Sequence, residues 1–126
     1  MDLPSSLKKA KKVAQKADHD TFQIGAMVMQ KNTPLSFGFN MQKKTHPKMR
    51  QYHAHKTVHA ELAAILKVRH KHDLKGATMV VFRQTKDGIP ANSRPCECCQ
   101  KILREYGFKK IIYTTDGGWA EEKITY

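Results

Sequence analysis

The chain has 126 residues, of which 40% are hydrophobic and 8% aromatic, enough to bury the core of one domain. No apolar stretch approaches the roughly 18 residues that a membrane span needs, and the N-terminus lacks the basic-then-apolar pattern of a secretory signal. We therefore expect a soluble, cytoplasmic protein without a membrane partner. The formal net charge of +12 attracts anions such as nucleotides or nucleic acid. A lysine-rich solvated surface would give the same charge, so charge alone does not identify a partner.

Hydrophobic periodicity divides the chain into three helices and four strands. In the first helical segment, apolar residues recur at spacings of three and four, lysines occupy the other faces, and Ser5-Ser6 stand in the position of a cap. The strands are short apolar runs bounded by turn residues, and the first two form a hairpin. The predicted elements are a helix over 5–17, strands over 21–30 and 35–40, a helix over 59–70, a strand over 77–83, a helix over 96–106 and a strand over 109–114.

Two long connections, residues 41–58 and 85–95, separate these elements, and the residues after Asp116-Gly117-Gly118 leave room for one last strand. Connections of this length in small domains often line a functional site. Strand–helix–strand units follow the hairpin, which predicts an α/β fold with a mixed sheet sandwiched between helices.

All three cysteines lie in the run Cys96-Glu97-Cys98-Cys99. Cysteines this close in sequence make poor structural disulfides, and an odd number does not fit a disulfide framework. Cys96 and Cys99 are three residues apart, so their thiols share one face on the first turn of a helix. A helix N-terminus and a metal ion both favour the thiolate, so this position suits metal ligation.

A second group of reactive residues, His59-Ala60-Glu61, opens the other predicted helix. One imidazole and two thiolates are ligands that Zn²⁺ prefers, and three protein ligands leave a fourth position for water, as in catalytic zinc sites. Glu61 is near enough to take a proton from that water and pass it to a departing amine. Each motif alone is weak, because Cys-x-x-Cys is also a redox pair or half of a structural zinc site and His-x-Glu is common on helices. Together with Pro95 they are specific.

His-x-Glu combined with Pro-Cys-x-x-Cys is the signature of zinc-dependent nucleobase deaminases. On these residues the chain resembles the cytidine and deoxycytidylate deaminase superfamily, which also contains the tRNA adenosine deaminases. The resemblance extends from Phe22 to Thr114. It implies a cytidine deaminase-like three-layer α/β sandwich, in which a mixed sheet of about five strands is flanked by helices. It also implies one Zn²⁺ per chain, between the second and third helices of a single deaminase domain that spans residues 1–126.

The resemblance assigns the chemical roles residue by residue. His59, Cys96 and Cys99 match the zinc ligands, and Glu61 matches the proton shuttle. Cys98 matches no ligand position. The implied reaction is hydrolytic removal of the exocyclic amine of a nucleobase, by attack of a zinc-bound hydroxide.

Five residues are candidates for substrate binding. Ala60 matches a position whose backbone amide helps hold the base, and Asn40 resembles an asparagine that contacts the sugar or base in several branches of the family. The alternative for Asn40 is an ordinary turn asparagine after a strand, and we favour the contact. Ser93 and Arg94 precede the cysteine motif, where the family builds its pocket wall. Trp119, beside two glycines, is a candidate for a pocket or an interface.

The motifs do not distinguish cytosine from adenine, because pocket shape makes that choice. A free cytosine nucleotide, a base within RNA or single-stranded DNA, and a free nucleoside all remain open. The positive charge favours the two classes that carry phosphate. We expect a (deoxy)cytidine nucleotide, because family members acting on tRNA usually carry a C-terminal helical extension, whereas this chain stops at Tyr126. Polynucleotide binders also often place aromatic residues among basic ones. In the basic segment 41–58 the only aromatic residue of the Phe, Tyr or Trp type is Tyr52, which favours the nucleotide.

A noncatalytic nucleic-acid-binding module with a structural zinc is the competing hypothesis. Glu61 argues against it, because a structural site needs no carboxylate there and normally uses a fourth protein ligand. A redox role for the cysteines would predict thiol–disulfide exchange and no metal. Relatives commonly assemble, so we also expect a homo-oligomer.

Overall fold

The computed structural model describes residues 3–16, 22–39, 60–85 and 87–125, with the backbone alone for Phe22 and Cys98. Two predicted site residues, Asn40 and His59, lie outside these ranges, as does the predicted loop over 41–58. The elements are helix α1 (Ser5–Ala14), strands β1 (Phe22–Gln30) and β2 (Thr33–Phe39), helix α2 (Ala60–Leu66), a 3₁₀ helix (Lys71–Leu74), strands β3 (Thr78–Thr85) and β4 (Pro90–Ala91), helix α3 (Glu97–Glu105), and strands β5 (Lys110–Thr115) and β6 (Gly118–Lys123).

The strands form one mixed sheet in the order β2-β1-β3-β5-β6, and the two-residue strand β4 pairs with β3. β1 is antiparallel to both β2 and β3, and β6 is antiparallel to β5. β3 and β5 are parallel. A parallel pair needs a crossover connection, and α3 lies within it. The α/β class with a mixed sheet is therefore confirmed, with six strands where the sequence predicts about five.

Helices cover both faces of the sheet and create two separate apolar cores. Ala26 and Val81 pack in the core under α2 and α3, whereas Met27 and Val80 pack in the core under α1. This alternation along each strand follows from the two-residue period of side chains in a sheet. Residues 78–82 of the central strand β3 are all buried. This is expected for a strand that helices cover on both faces of the sheet.

The ends of two helices differ from their predicted positions. Pro4, not a serine, occupies the N-cap of α1, and no side chain caps that end. Helix α2 ends at Leu66 rather than near residue 70, and of the residues that follow only Val68 stays in the core, while Lys67, Arg69 and His70 are exposed. The chain turns there through a Val68 N–H to Ile65 carbonyl bond of 3.1 Å.

Two strands complete the sheet where the sequence was ambiguous. β4 lies within the predicted loop 85–95 and has two residues, too few for any alternating pattern to show. The last strand, for which the sequence left room after Asp116-Gly117-Gly118, is present as β6 and has six residues. Among the described residues, no helix combines the length and apolar character needed to cross a membrane.

Two glycines allow helices to approach the sheet at backbone distance. A Cβ at Gly38 would lie 2.5 Å from the Ala60 carbonyl oxygen of α2, and one at Gly25 would lie 2.5 Å from the Ala14 amide nitrogen of α1. Carbon atoms do not approach backbone atoms this closely, so only glycine permits these contacts. Gly38 faces α2 and Gly25 faces α1, so each fixes one layer of the sandwich.

Replacing Gly38 or Gly25 with alanine is expected to lower the free energy of unfolding by about 1–3 kcal/mol or more, because the added methyl meets helix backbone that cannot move aside alone. Gly118→Ala is the control. Its Cβ would meet the Thr115 hydroxyl at 3.3 Å, a side-chain contact that small shifts relieve, so a change within about 0.5 kcal/mol is expected. Urea denaturation measures all three, and a Gly38→Ala protein of wild-type stability would disprove the close packing.

Candidate active site

The cysteine motif forms the N-terminus of α3. Cys96 is the N-cap in an extended conformation, and its Sγ accepts a hydrogen bond from the Cys99 backbone N–H at 3.4 Å. The Gln100 side chain donates to the Pro95 carbonyl oxygen at 2.8 Å. Cys96 is exposed and Cys99 is buried. The three-residue spacing therefore places both thiols at one end of one helix, as the sequence predicts.

Glu61 of α2 meets this cysteine pair across the space between the two helices. It lies in the first turn of α2 and is buried, with 7% of its surface exposed. A hydrogen bond with Cys96, burial, and the negative charge and hydrogen bonding of Glu61 all raise the pKa of the Cys99 thiol. Glu61 and the cysteine pair are thus brought together, although they are far apart in sequence.

The donor chemistry of this cluster fits a soft or borderline divalent cation. The buried Cys99 thiol lies beside the exposed Cys96 thiol and the buried Glu61 carboxylate, so their negative forms repel one another and burial disfavours charge on Cys99 and Glu61. A bound cation relieves both effects, and thiolates are ligands that Zn²⁺ favours. Among the described residues these side chains do not form a three-ligand group of their own. The predicted third ligand, His59, lies outside the described ranges and directly precedes Ala60.

A hydrogen bond from the sheet fixes the position of α2. The Ser36 hydroxyl of β2 donates to the Ala64 carbonyl oxygen at 2.6 Å and is buried. Two residues further along β2, Gly38 contacts the backbone of Ala60 and Ala64. Glu61 lies between those two contacts in sequence, so its position on the sheet is determined by β2. Sequence reasoning did not identify Ser36, which reads as an ordinary strand residue.

Ser93 anchors the segment that leads into α3. Its hydroxyl donates to the Val81 carbonyl oxygen at 2.9 Å and accepts from the Thr114 N–H at 2.8 Å. Its own N–H donates to the Thr114 carbonyl oxygen at 2.8 Å. Ser93 is 7% exposed, so its polar groups are occupied by these bonds to Val81 of β3 and Thr114 of β5.

Arg94, the next residue, is bound to β6. Its Nε and Nη2 each lie 2.9 Å from a carboxylate oxygen of Glu122, and the Tyr113 hydroxyl donates to the same carboxylate at 3.2 Å. The hydrogen bond to Arg94 lowers the pKa of Glu122, and the same bond raises the pKa of Arg94. Glu122 was not identified from the sequence. The only pattern that could have indicated its position is the two-residue alternation of β6, which places Glu122 on the partly buried face.

The structure does not bring Trp119 together with Glu61 and Cys99. Trp119 lies on the edge strand β6 opposite Thr114 and is 44% exposed. Directly opposed residues of an antiparallel pair share one face. Thr114 alternates with Ile111 and Tyr113, which pack in the α2–α3 core, so Trp119 lies on the other face of the sheet.

The comparisons with known proteins agree with this architecture. The cytidine deaminase from Burkholderia pseudomallei has a TM-score of 0.69 at 18% identity, covering 98% of this chain and 94% of that one. The dCMP deaminase from the cyanophage S-TIM5 has a TM-score of 0.58 at 20% identity, covering 86% and 79%. A diaminohydroxyphosphoribosylaminopyrimidine deaminase/5-amino-6-(5-phosphoribosylamino)uracil reductase from Thermotoga maritima has a TM-score of 0.53 at 24% identity, covering 86% and 28%. No curated protein matches the sequence significantly.

These structures share the fold of the cytidine deaminases with this chain. The family described as "Cytidine and deoxycytidylate deaminase zinc-binding region" matches residues 3–115. The chain belongs to this zinc-binding deaminase family. The resemblance noted from the two motifs is thereby confirmed.

Removing the Ser93 hydroxyl is expected to destabilise the protein by about 1–3 kcal/mol, because Ser93→Ala leaves the buried Thr114 N–H and the Val81 carbonyl without this partner. Thr125→Ala, exposed beyond β6, should stay within about 0.5 kcal/mol of wild type. Thermal unfolding followed by circular dichroism measures both. Equal stability of the Ser93→Ala and wild-type proteins would contradict the anchoring role.

The Arg94–Glu122 pair should make stability depend on acid pH. Because the folded pKa of Glu122 is below its ordinary value of 4.5, the stabilisation is present above that pH and lost as the pH falls through the folded pKa. The pair is exposed, so its contribution is expected to be at most about 1 kcal/mol. A double-mutant cycle with Arg94→Gln and Glu122→Gln, measured at neutral pH and below pH 4, should give a coupling energy that declines in acid. A coupling energy of zero at neutral pH would show that the Arg94–Glu122 pair does not contribute to stability.

Proposed function

We propose that this chain is a zinc-dependent hydrolytic deaminase that converts cytosine to uracil in a (deoxy)cytidine nucleotide. The observation that carries the proposal is the meeting of Glu61 with Cys99 between the first turns of α2 and α3. A buried carboxylate beside two thiols combines a proton carrier with metal ligands. Membership of the zinc-binding deaminase family supports the same chemistry.

In the proposed site, His59, Cys96 and Cys99 hold one zinc ion per chain. Zinc, when bound, supplies a Lewis acid that lowers the pKa of a water molecule. Glu61 takes a proton from the attacking water at its carboxylate and delivers a proton to the departing amine, which leaves as ammonia.

The remaining predicted residues would shape the pocket. Ala60 directly precedes Glu61, so its backbone is well placed to help hold a base beside the carboxylate. Ser93 and Arg94 lead into Cys96, and their bonds to β3, β5 and β6 would hold that wall in place. Asn40 stays a prediction for a contact with the sugar or base, and Trp119, on the other face of the sheet, stays a prediction for an interface. A homo-oligomer and a single domain over residues 1–126 also stay predictions.

The choice of a nucleotide as substrate rests on charge and on the relatives. The net charge of +12 favours a substrate that carries phosphate. One similar solved structure is the cyanophage S-TIM5 dCMP deaminase in complex with dCMP and dUMP, with a TM-score of 0.56 at 17% identity. A cytidine or adenosine within RNA or single-stranded DNA is the alternative substrate, and the activity assay below distinguishes the two.

The metal assignment predicts a split between zinc content and activity. Cys96→Ser and Cys99→Ser should each lose zinc and activity together, whereas Cys98→Ser should keep both. Glu61→Gln should retain zinc but lower kcat by at least about 100-fold, because only the proton carrier is lost. Metal analysis and ammonia release measure the two quantities on the same samples. Near-stoichiometric zinc in Cys96→Ser, or an active Glu61→Gln protein, would contradict the assignment.

The substrate assignment is tested by ammonia release from a panel of cytidine, deoxycytidine, their phosphates, the adenosine equivalents, and single-stranded DNA and RNA. Turnover of cytosine nucleotides alone is expected. Turnover confined to polymers would replace the nucleotide with a polynucleotide substrate. Inactivity across the panel, in a protein that contains zinc, would favour the noncatalytic module.

A further inference from the structure

An open groove of about 310 Å³ runs along the edge of the sheet where α1 packs beside β2. Its lining includes aromatic rings from β2 and lysine side chains from α1, from the turn after α1 and from the residue after α2. The aromatic residues are partly exposed, and the lysines are exposed. The aromatic and lysine residues of this lining are Phe37, Phe39, Lys9, Lys12, Lys16 and Lys67.

The aromatic residues provide two platforms along one strand. Phe37 and Phe39 are two residues apart on β2, so their rings lie on the same face about 7 Å from one another. The Lys67 ammonium lies 5.6 Å from the centre of the Phe39 ring, within the range of a cation–π contact. Two rings in a row match successive bases of a strand better than a single free base.

The lysines form a row parallel to those rings. Lys9 and Lys12 are three residues apart on one face of α1, and Lys16 follows in the turn after the helix ends at Ala14. Among the described residues, no carboxylate forms an ion pair with any of them. Residues 3–17 contain five lysines and no Asp or Glu. The described part of α1 at this edge is therefore strongly basic.

We propose that this groove binds single-stranded nucleic acid, with bases stacked on Phe37 and Phe39 and phosphates contacted by the lysine row. Proteins that bind single strands without sequence preference combine these same two elements, a basic track and aromatic stacking platforms. The length of the lysine row favours a strand, because one mononucleotide phosphate would occupy only part of it.

The groove is distinct from the proposed deaminase site. Phe37 packs with the core under α1, whereas Cys99 and Ala60 belong to the core under α2 and α3 on the opposite face of the sheet. Binding in the groove therefore does not depend on the proposed function, and the two are tested separately.

The probe is a fluorescein-labelled oligo(dT) of twelve nucleotides, whose thymine bases carry no amine to be removed. Fluorescence anisotropy with the full chain, from 50 to 200 mM salt, gives the Kd and its salt dependence. The charge variant is Lys9→Gln, Lys12→Gln and Lys16→Gln together. The matched control, Lys8→Gln, Lys75→Gln and Lys109→Gln, removes the same charge from exposed positions outside the groove.

The charge variant should weaken binding and reduce the slope of log Kd against log salt by about 2, since each phosphate contact with a single strand contributes about 0.7. Phe39→Leu should raise Kd about tenfold with an unchanged slope, because it removes stacking but no charge. The matched control should keep the wild-type Kd within about threefold. Circular dichroism verifies that each variant is folded.

Three results would overturn the proposal. The first is an equal loss of binding in the charge variant and its matched control, which would indicate a diffuse surface field. The second is complete displacement of the oligonucleotide by micromolar dTTP, which would make the groove a site for free nucleotides. The third is no binding at 50 mM salt. All three are independent of whether the protein releases ammonia from any substrate.

Discussion

The site depends on the requirement that two helix N-termini meet on one face of the sheet. Glu61 opens α2 and Cys99 lies in the first turn of α3, where a hydrogen bond with Cys96, burial and the neighbouring Glu61 together raise the pKa of the Cys99 thiol. Neither helix alone could assemble this cluster. Because β3 and β5 are parallel, α3 must cross over the sheet, and it does so on the face that already carries α2. The parallel pair therefore determines where the cysteines lie.

The supports of the two helix starts are built differently. On the α2 side, Gly38 allows backbone contact with β2, and the Ser36 hydroxyl adds a buried hydrogen bond. On the α3 side, Ser93 is hydrogen-bonded to β3 and β5, and Arg94 is paired with Glu122 on β6. Gly38, Ser36 and Ser93 have few rotamers and are buried, so they position the site more precisely than the exposed Arg94–Glu122 pair does.

The two faces of the sheet carry different chemistry. The face under α2 and α3 holds the acidic and thiol groups in a buried environment. The edge beside α1 instead presents lysines and partly buried aromatic rings to solvent. A sandwich with helices on both faces allows this separation, because side chains alternate between the faces and each core is filled independently.

The sequence by itself determined the α/β class, the hairpin, and the placement of both reactive motifs at helix starts, because periodicity and capping act over a few residues. It also indicated the family, since the signature combines rare residue types at defined spacings. Only the tertiary structure decided that Glu61 and Cys99 touch, that Ser93 and Arg94 are held by Thr114 and Glu122, and that Trp119 lies on the opposite face. These outcomes depend on strand register and on contacts between distant segments, which no local pattern encodes.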